Sequence, residues 1–187
     1  MTTPILTVAN QLTLLRMALS PLLVVAVLSH EYTWALILFV VAGVSDLLDG
    51  LIARLGHQKT TLGAMLDPVA DKVLLNSAFV ALTWGSALEV RIPVWLTVIA
   101  FSRDAIIVMS VTVINLTVGQ RIFYPSLLGK ICTVSQIVTA GSVLLLNALG
   151  SEWEPISYLF KLTLALTVTS ALHYVHLASH GKGSSEP

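Results

Sequence analysis

The chain has 187 residues, no net formal charge and a mean hydropathy of +0.87; 56% of its residues are hydrophobic and 11% are charged. A soluble domain carries about 25% charged residues, so a water-soluble fold of this size could not hide its apolar surface, and the bilayer is expected to be its solvent. Ten basic residues against ten acidic ones exclude the basic face a nucleic-acid partner requires, and a single cysteine, Cys132, excludes a disulfide or a cysteine-built metal site within one chain.

A hydrocarbon core of about 30 Å takes roughly 20 helical residues to cross. On that ruler six spans are predicted, at 9–29, 33–55, 68–88, 92–117, 129–150 and 155–178. The first carries Asn10, Thr13 and Arg16 at every third position, one polar stripe on an apolar helix that suits interhelical hydrogen bonds or a ligand. Arg16 is the sole basic group in the first sixteen residues, and the apolar run after it leads into further spans, so no cleavable signal peptide is expected. His30-Glu31 breaks the chain before the second span, which contains Asp46 and Asp49. A polar stretch from Gly56 to Thr61 precedes the third. There Asp67-Pro68 reads as a helix cap with proline at the first helical position.

Glu89-Val90-Arg91 separates the fourth span, which holds Arg103 and Asp104. Cys132, in the fifth, is expected to be a small packing residue, and Gly119, Gly129 and Gly141 are places where helices can approach closely. In the sixth, His173, His176 and His180 share a face and read as polar groups where the helix meets water. Trp34, Trp84, Trp95 and Trp153 all fall near span ends, as in an aromatic belt. Residues 181–187 are expected to be a disordered tail. That leaves residues 1–180 as a single all-α domain, a polytopic six-transmembrane-helix bundle. With the termini and the second and fourth loops on one side, that side holds Arg54, Lys59, Lys72, Arg121, Lys130 and Lys182. The other side has Arg91 and Lys161. The bias places the first group at the cytoplasm.

Every glutamate lies in a loop or the tail, whereas Asp46, Asp49, Asp67, Asp71 and Asp104 fall in or at the edge of spans. A charge at the bilayer centre costs about 2.5–3.5 kcal/mol even on lenient scales. At about 100° per residue, Asp46, Asp49, Gly50 and Ala53 share one arc, with Arg54 at its edge. Asp67 and Asp71 are one turn apart on the next helix, and the short connection is expected to bring the two helices side by side. Salt bridges could account for single aspartates, but nearby cations are too few for four. Four converging carboxylates would repel unless cations neutralise them. An oxygen-only set selects hard divalent ions such as Mg²⁺, Mn²⁺ or Ca²⁺, and a pair of them suits phosphoryl chemistry. Gly50 and Ala53 leave room for a bulky ligand, and Arg54 has the planar fork for a diphosphate. A cation transporter also explains buried carboxylates, but not Gly50, Ala53 and Arg54 beside them.

The run Asp46-x2-Asp49-Gly50-x2-Ala53-Arg54-x8-Gly63-x3-Asp67-x3-Asp71 resembles the signature of the CDP-alcohol phosphatidyltransferases at all eight fixed positions, and the six-span layout is similar too. The resemblance implies an enzyme of phospholipid synthesis in the cytoplasmic membrane, its site facing the cytoplasm. Asp46, Asp49, Asp67 and Asp71 would hold two divalent cations, Mg²⁺ or Mn²⁺. Asp71 would also take the proton of the acceptor hydroxyl, and Gly50, Ala53, Arg54 and Gly63 would border the cytidine diphosphate of CDP-diacylglycerol. A homodimer is a further implication. The stretch from Asn10 to Arg16, Ser102-Arg103-Asp104 and the run from Pro125 to Lys130 resemble the phosphatidylglycerophosphate synthase and cardiolipin synthase branches. On that likeness Asn10 and Thr13 lie near the nucleotide, while Arg103, Lys130 and Arg121 form a pocket for an anionic acceptor. Adjacent residues point about 100° apart on a helix, so Arg103 and Asp104 are not expected to pair. The first-choice acceptor is glycerol 3-phosphate; phosphatidylglycerol, as in the cardiolipin synthase branch, or an inositol-type alcohol is the alternative. Arg103 followed by aspartate, where glycerophosphate enzymes more often carry glutamate, is more similar to the cardiolipin synthase branch.

Overall fold

The computed structural model describes residues 8–55, 61–118 and 127–179, with side chains over 14–46, 72–109 and 127–174. Among these residues the chain is all-α. Six helices follow one another: α1 Val8–Leu28, α2 Tyr32–Leu55, α3 Thr61–Trp84, α4 Val94–Val118, α5 Leu127–Leu149 and α6 Ile156–Ser179. The bounds of five of these helices agree to within about two residues with those expected from sequence. The third does not: α3 starts at Thr61, so Asp67 and Pro68 lie inside it and the helix-cap reading of that pair fails. Leu62, Ala64, Met65 and Leu66 carry the apolar run through without a break, and membrane helices tolerate an internal proline. The tail residues 181–187 and the loop residue Arg121 lie outside the described residues.

Two helices, Leu127–Leu149 and Ile156–Tyr174, are long and apolar enough to cross a membrane; Leu14–Leu28, Tyr32–Asp46 and Lys72–Trp84 are shorter apolar stretches. Of the six expected spans, two therefore meet that test among the described residues. Large apolar side chains are nonetheless exposed on several helices, among them Leu22 and Val25 on α1, Val40 on α2, Val108 on α4, Val134 on α5 and Leu172 on α6. All four tryptophans are exposed as well.

The chain divides into two compact units. The first runs through Arg91 and includes Ala140–Trp153; the second takes Ile92–Thr139 and the chain from Glu154 onward. In the first unit α1 packs against both α2 and α3. Leu19, Leu23 and Val27 of α1, Ala35, Phe39 and Ala42 of α2, and Leu75, Phe79 and Leu82 of α3 are buried at helical spacing. α1 ends in a Schellman motif: the Glu31 amide donates to the Ala26 carbonyl at 2.9 Å and the His30 amide to Val27 at 3.1 Å, with His30 at φ 64°. The turn this makes is short, so α1 and α2 form an antiparallel hairpin.

Beyond α3 the loop is tied down twice. The Tyr32 hydroxyl donates to the Ala87 carbonyl at 3.0 Å. The Asn147 side chain accepts from the Glu89 and Val90 amides at 2.8 and 3.3 Å and donates to the Val90 carbonyl at 2.8 Å. Gly85 is required there, because a Cβ would lie 2.7 Å from the Ala81 carbonyl oxygen. Gly141 is different: a Cβ would meet Phe39 at 3.6 Å, an ordinary contact, so its lack of a side chain is not what lets the helices approach.

In the second unit α4 packs against α6, and a polar seam joins α6 to its neighbours. Thr139 and Thr163 share a hydroxyl bond of 2.8 Å, the Cys132 thiol lies 3.5 Å from the Thr167 hydroxyl, and Arg103 reaches Ser170. Cys132 is buried, as expected for a packing residue, and takes part in this seam.

Candidate functional site

The apolar stripe of α1 at Val27, Leu23 and Leu19 continues to Ser20 and then to Arg16, which is 1% exposed. A guanidinium sealed among apolar neighbours is tolerable only with a counter-charge and hydrogen bonds. Asp46 supplies the counter-charge and one such bond: Arg16 Nη2 lies 2.9 Å from Asp46 Oδ1. The hairpin explains the match, since Ala35, Phe39, Ala42 and Asp46 form the corresponding stripe of α2. Residues 27 and 35, 23 and 39, and 16 and 46 then fall at successive levels. Ser20 donates to the Arg16 carbonyl at 3.1 Å and Ser45 to the Val41 carbonyl at 2.7 Å, so both neighbouring hydroxyls are satisfied within their own helices.

Asp46 is thus one of the single aspartates that an interhelical salt bridge accounts for. The two partners are unequal, however. Arg16 is sealed by protein, whereas the Asp46 side chain is 42% exposed. One carboxylate oxygen is held from behind and the group still faces outward.

The remaining positions of the acidic motif are placed by backbone alone. Asp49, Gly50, Ala53 and Arg54 follow Asp46 on α2, and Gly63, Asp67 and Asp71 are on α3. Asn10 and Thr13 are on α1, in the two turns before Arg16. The side chains of all these residues lie outside the described set. Among described side chains no group of three metal-ligating residues occurs, Asp46 being the one member of the expected set present there.

Of the expected acceptor residues, Arg103 and Lys130 are in the second unit, and Arg121 lies outside the described residues. Arg103 is 5% exposed, and its guanidinium is engaged twice, by Asp104 Oδ1 at 2.9 Å and by the Ser170 hydroxyl at 3.0 Å. The expectation that Arg103 and Asp104 do not pair is therefore overturned. The 100° rule governs where side chains leave the helix, and the long arginine stem curls back across that angle. Arg103 Nε is buried without a hydrogen-bond partner among the described residues. Lys130 is exposed at the start of α5. His173 is not simply a wet interfacial group: its Nδ1 is buried and has no hydrogen-bond partner among the described residues. The side chain of His176 and the whole of His180 lie outside the description.

Sequence reasoning placed Arg16 on a polar stripe but missed its partner, and it missed the seam of α6. The signal for the seam was present, since Thr163, Thr167 and Ser170 recur at four and three residues, as do Cys132, Gln136 and Thr139.

The motif and the helices carrying it fall within residues 6–176, which match the family model described as CDP-alcohol phosphatidyltransferase. The chain belongs to the CDP-alcohol phosphatidyltransferase family. This phosphatidyltransferase-family chain is 36% identical over 159 residues to the CMP-forming cardiolipin synthase of Streptomyces coelicolor, covering 80% of this chain and 69% of that protein. It is 31% identical over 189 residues to the human CMP-forming cardiolipin synthase, covering 91% of this chain and 61% of that protein. To a probable phosphatidylglycerophosphate synthase of Mycobacterium tuberculosis it is 33% identical over 176 residues, covering 89% of this chain and 79% of that one. The chain thus spans less than two thirds of the human relative's length.

Proposed function

We propose that this chain is a membrane-embedded transferase of phospholipid synthesis. It would move the phosphatidyl group of CDP-diacylglycerol onto an alcohol and release CMP. The observation that carries the reading is the family match over residues 6–176, which contains the acidic motif unbroken. Exposed leucines and valines along several helices support a six-span bundle whose outer surface faces lipid. The loop charge bias supports a site at the cytoplasmic face. A homodimer is part of the proposal.

The donor set fits hard divalent cations. Four carboxylates supply oxygen ligands only, and Asp46, the one whose side chain is described, is outward-facing and held through one oxygen. Asp46, Asp49, Asp67 and Asp71 would hold Mg²⁺ or Mn²⁺, which when bound supplies charge neutralisation for the diphosphate. Asp71 would accept the proton of the acceptor hydroxyl as its oxygen attacks the phosphorus nearest the lipid, and the bond to CMP breaks. Arg54 would meet the diphosphate, with Gly50, Ala53 and Gly63 leaving space for the cytidine. Continuing the α1–α2 register puts residue 13 level with residue 49 and residue 10 level with 52, which favours Asn10 and Thr13 as nucleotide contacts.

For the acceptor we place phosphatidylglycerol ahead of the glycerol 3-phosphate expected from sequence. The Streptomyces and human relatives are named cardiolipin synthases. Arg103 is also already engaged by Asp104 and Ser170, which suits a small free phosphate poorly. Glycerol 3-phosphate is the second reading, favoured by the mycobacterial relative. Purified protein given CDP-diacylglycerol, Mg²⁺ and one acceptor at a time separates them: CMP release with phosphatidylglycerol alone is expected. Release with glycerol 3-phosphate alone reverses the order, and release with neither rejects both.

A further inference from the structure

The ion pair between α1 and α2 assigns work to a residue outside the acidic motif. We propose that Arg16 is a positioning residue for the cation site: it holds Oδ1 of Asp46, fixes that carboxylate, and leaves its second oxygen for a divalent ion. The inference rests on the reading of Asp46 as a metal ligand.

Three observations carry it. Arg16 occupies the core-facing stripe of α1, in line with Leu19, Leu23 and Val27, and is 1% exposed. An arginine there is expensive to bury and would be replaced by an apolar residue if only packing mattered. Next, the contact is a charge-assisted bond of 2.9 Å to a single carboxylate oxygen. Last, the exposure is lopsided, with the Arg16 side chain sealed and the Asp46 side chain 42% exposed. A pair serving only to join two helices does not need one member left partly open. A ligand held from behind fits that arrangement, because carboxylates that bind metals are themselves held by hydrogen bonds from the surrounding protein. Arginine suits the task better than lysine, since its planar fork fixes direction as well as charge.

The alternative role gives the opposite sign. If Arg16 merely competes with the cation for Asp46, removing it tightens metal binding. If it positions Asp46, removing it weakens binding, by about 10–100-fold for partners of this kind.

The test uses the full chain in detergent, without substrate, and reads the affinity for Mn²⁺ from the electron paramagnetic resonance signal of the free ion. Circular dichroism and the elution profile report folding. Wild type is expected to bind Mn²⁺, Asp46→Asn to bind it weakly, and Arg16→Met to bind it at least about 10-fold more weakly than wild type while keeping the same helical signal. Should Arg16→Met not be recovered folded, Arg16→Gln, which is also neutral, carries the same expectation. Unchanged or tighter binding by the folded Arg16 variant overturns the proposal while leaving the metal reading intact. A wild-type protein that binds no Mn²⁺ overturns the metal reading itself, and this inference with it.

Discussion

Replacing Asn147 by alanine removes the clamp that ties α5 to the loop after α3. The side chain makes four hydrogen bonds: two accepted from the Glu89 and Val90 amides, and two donated at 2.8 Å to the carbonyls of Val90 and Val143. Val143 is one turn back on the same helix, where its carbonyl already serves the backbone ladder, so three of the bonds join separate segments. Side-chain hydrogen bonds contribute about 0.6 kcal/mol on average in membrane proteins and about 1 kcal/mol in soluble ones, so the three amount to roughly 2–3 kcal/mol. At about 2–4 °C per kcal/mol for a chain of this length, the melting midpoint falls by roughly 5–10 °C. Asn147→Asp is expected to be at least as damaging, because it puts an oxygen against the two carbonyls. Catalysis behaves differently. Tyr32 binds the same loop, and Asp46 lies fourteen residues further along α2, about 21 Å away at 1.5 Å per residue. Below the midpoint, transfer activity of Asn147→Ala should therefore stay within about twofold of wild type, as for sites with no shared partner. Thermal unfolding in detergent and a CMP-release assay measure the two effects. A variant that melts within about 1 °C of wild type, or that is folded yet inactive, refutes the reasoning.

Three further outcomes are expected. Gly141→Ala should raise stability by about 0.5–1 kcal/mol through helix propensity, since its Cβ has room; Gly85→Ala should lower the midpoint because backbone must shift, and Gly150→Ala should cost about 1 kcal/mol at its φ of +59°. Thr139→Val removes the hydroxyl bond to Thr163 and should cost about 0.6 kcal/mol in thermal unfolding, with activity retained. Asp71→Asn should cut CMP release by about 10²–10⁴-fold, and chelating divalent cations should abolish release by wild type until Mg²⁺ is restored; release that survives either treatment contradicts the proposed chemistry.

The helices were legible because long, mostly apolar runs bounded by polar or charged breaks leave little choice of secondary structure. Where the reading slipped, a local rule was trusted over the run around it. Pro68 resembles a first helical position, yet the apolar residues from Leu62 to Leu66 extend α3 back to Thr61. The acidic motif was legible because carboxylates stand out on helices that are otherwise mostly apolar. The partner of Asp46 was not: a stripe tells which residues of α1 share a face, but the level at which Arg16 meets α2 depends on the turn between the helices. That turn is made by His30 at a positive φ, where a glycine would have signalled it. Arg103 and Asp104 failed for another reason, since backbone direction says little about the reach of an arginine. The role of Asn147 had no local signal, as the loop residues it ties down are 57 and 58 residues away in sequence.

The packing of α1 bears on how the acidic helices are held. The motif is divided between α2 and α3, and α1 is the helix that packs against both. Its apolar residues Leu19, Leu23 and Val27 fill the first unit's core, and Arg16 continues the same stripe toward the acidic stretch. One helix thus contributes packing along its length and a fixed positive charge beside the first carboxylate of the motif. At the far end, the Schellman turn after α1, the Tyr32 contact and the Asn147 clamp fix the start of α2 and the loop after α3. Rotation of α2 about its axis is then resisted at its start by hydrogen bonds and further along by the ion pair at Asp46. A helix free to rotate by one residue, about 100°, would turn its carboxylates to another side, so on the proposed reading these ties would let a motif written along two helices act as one site.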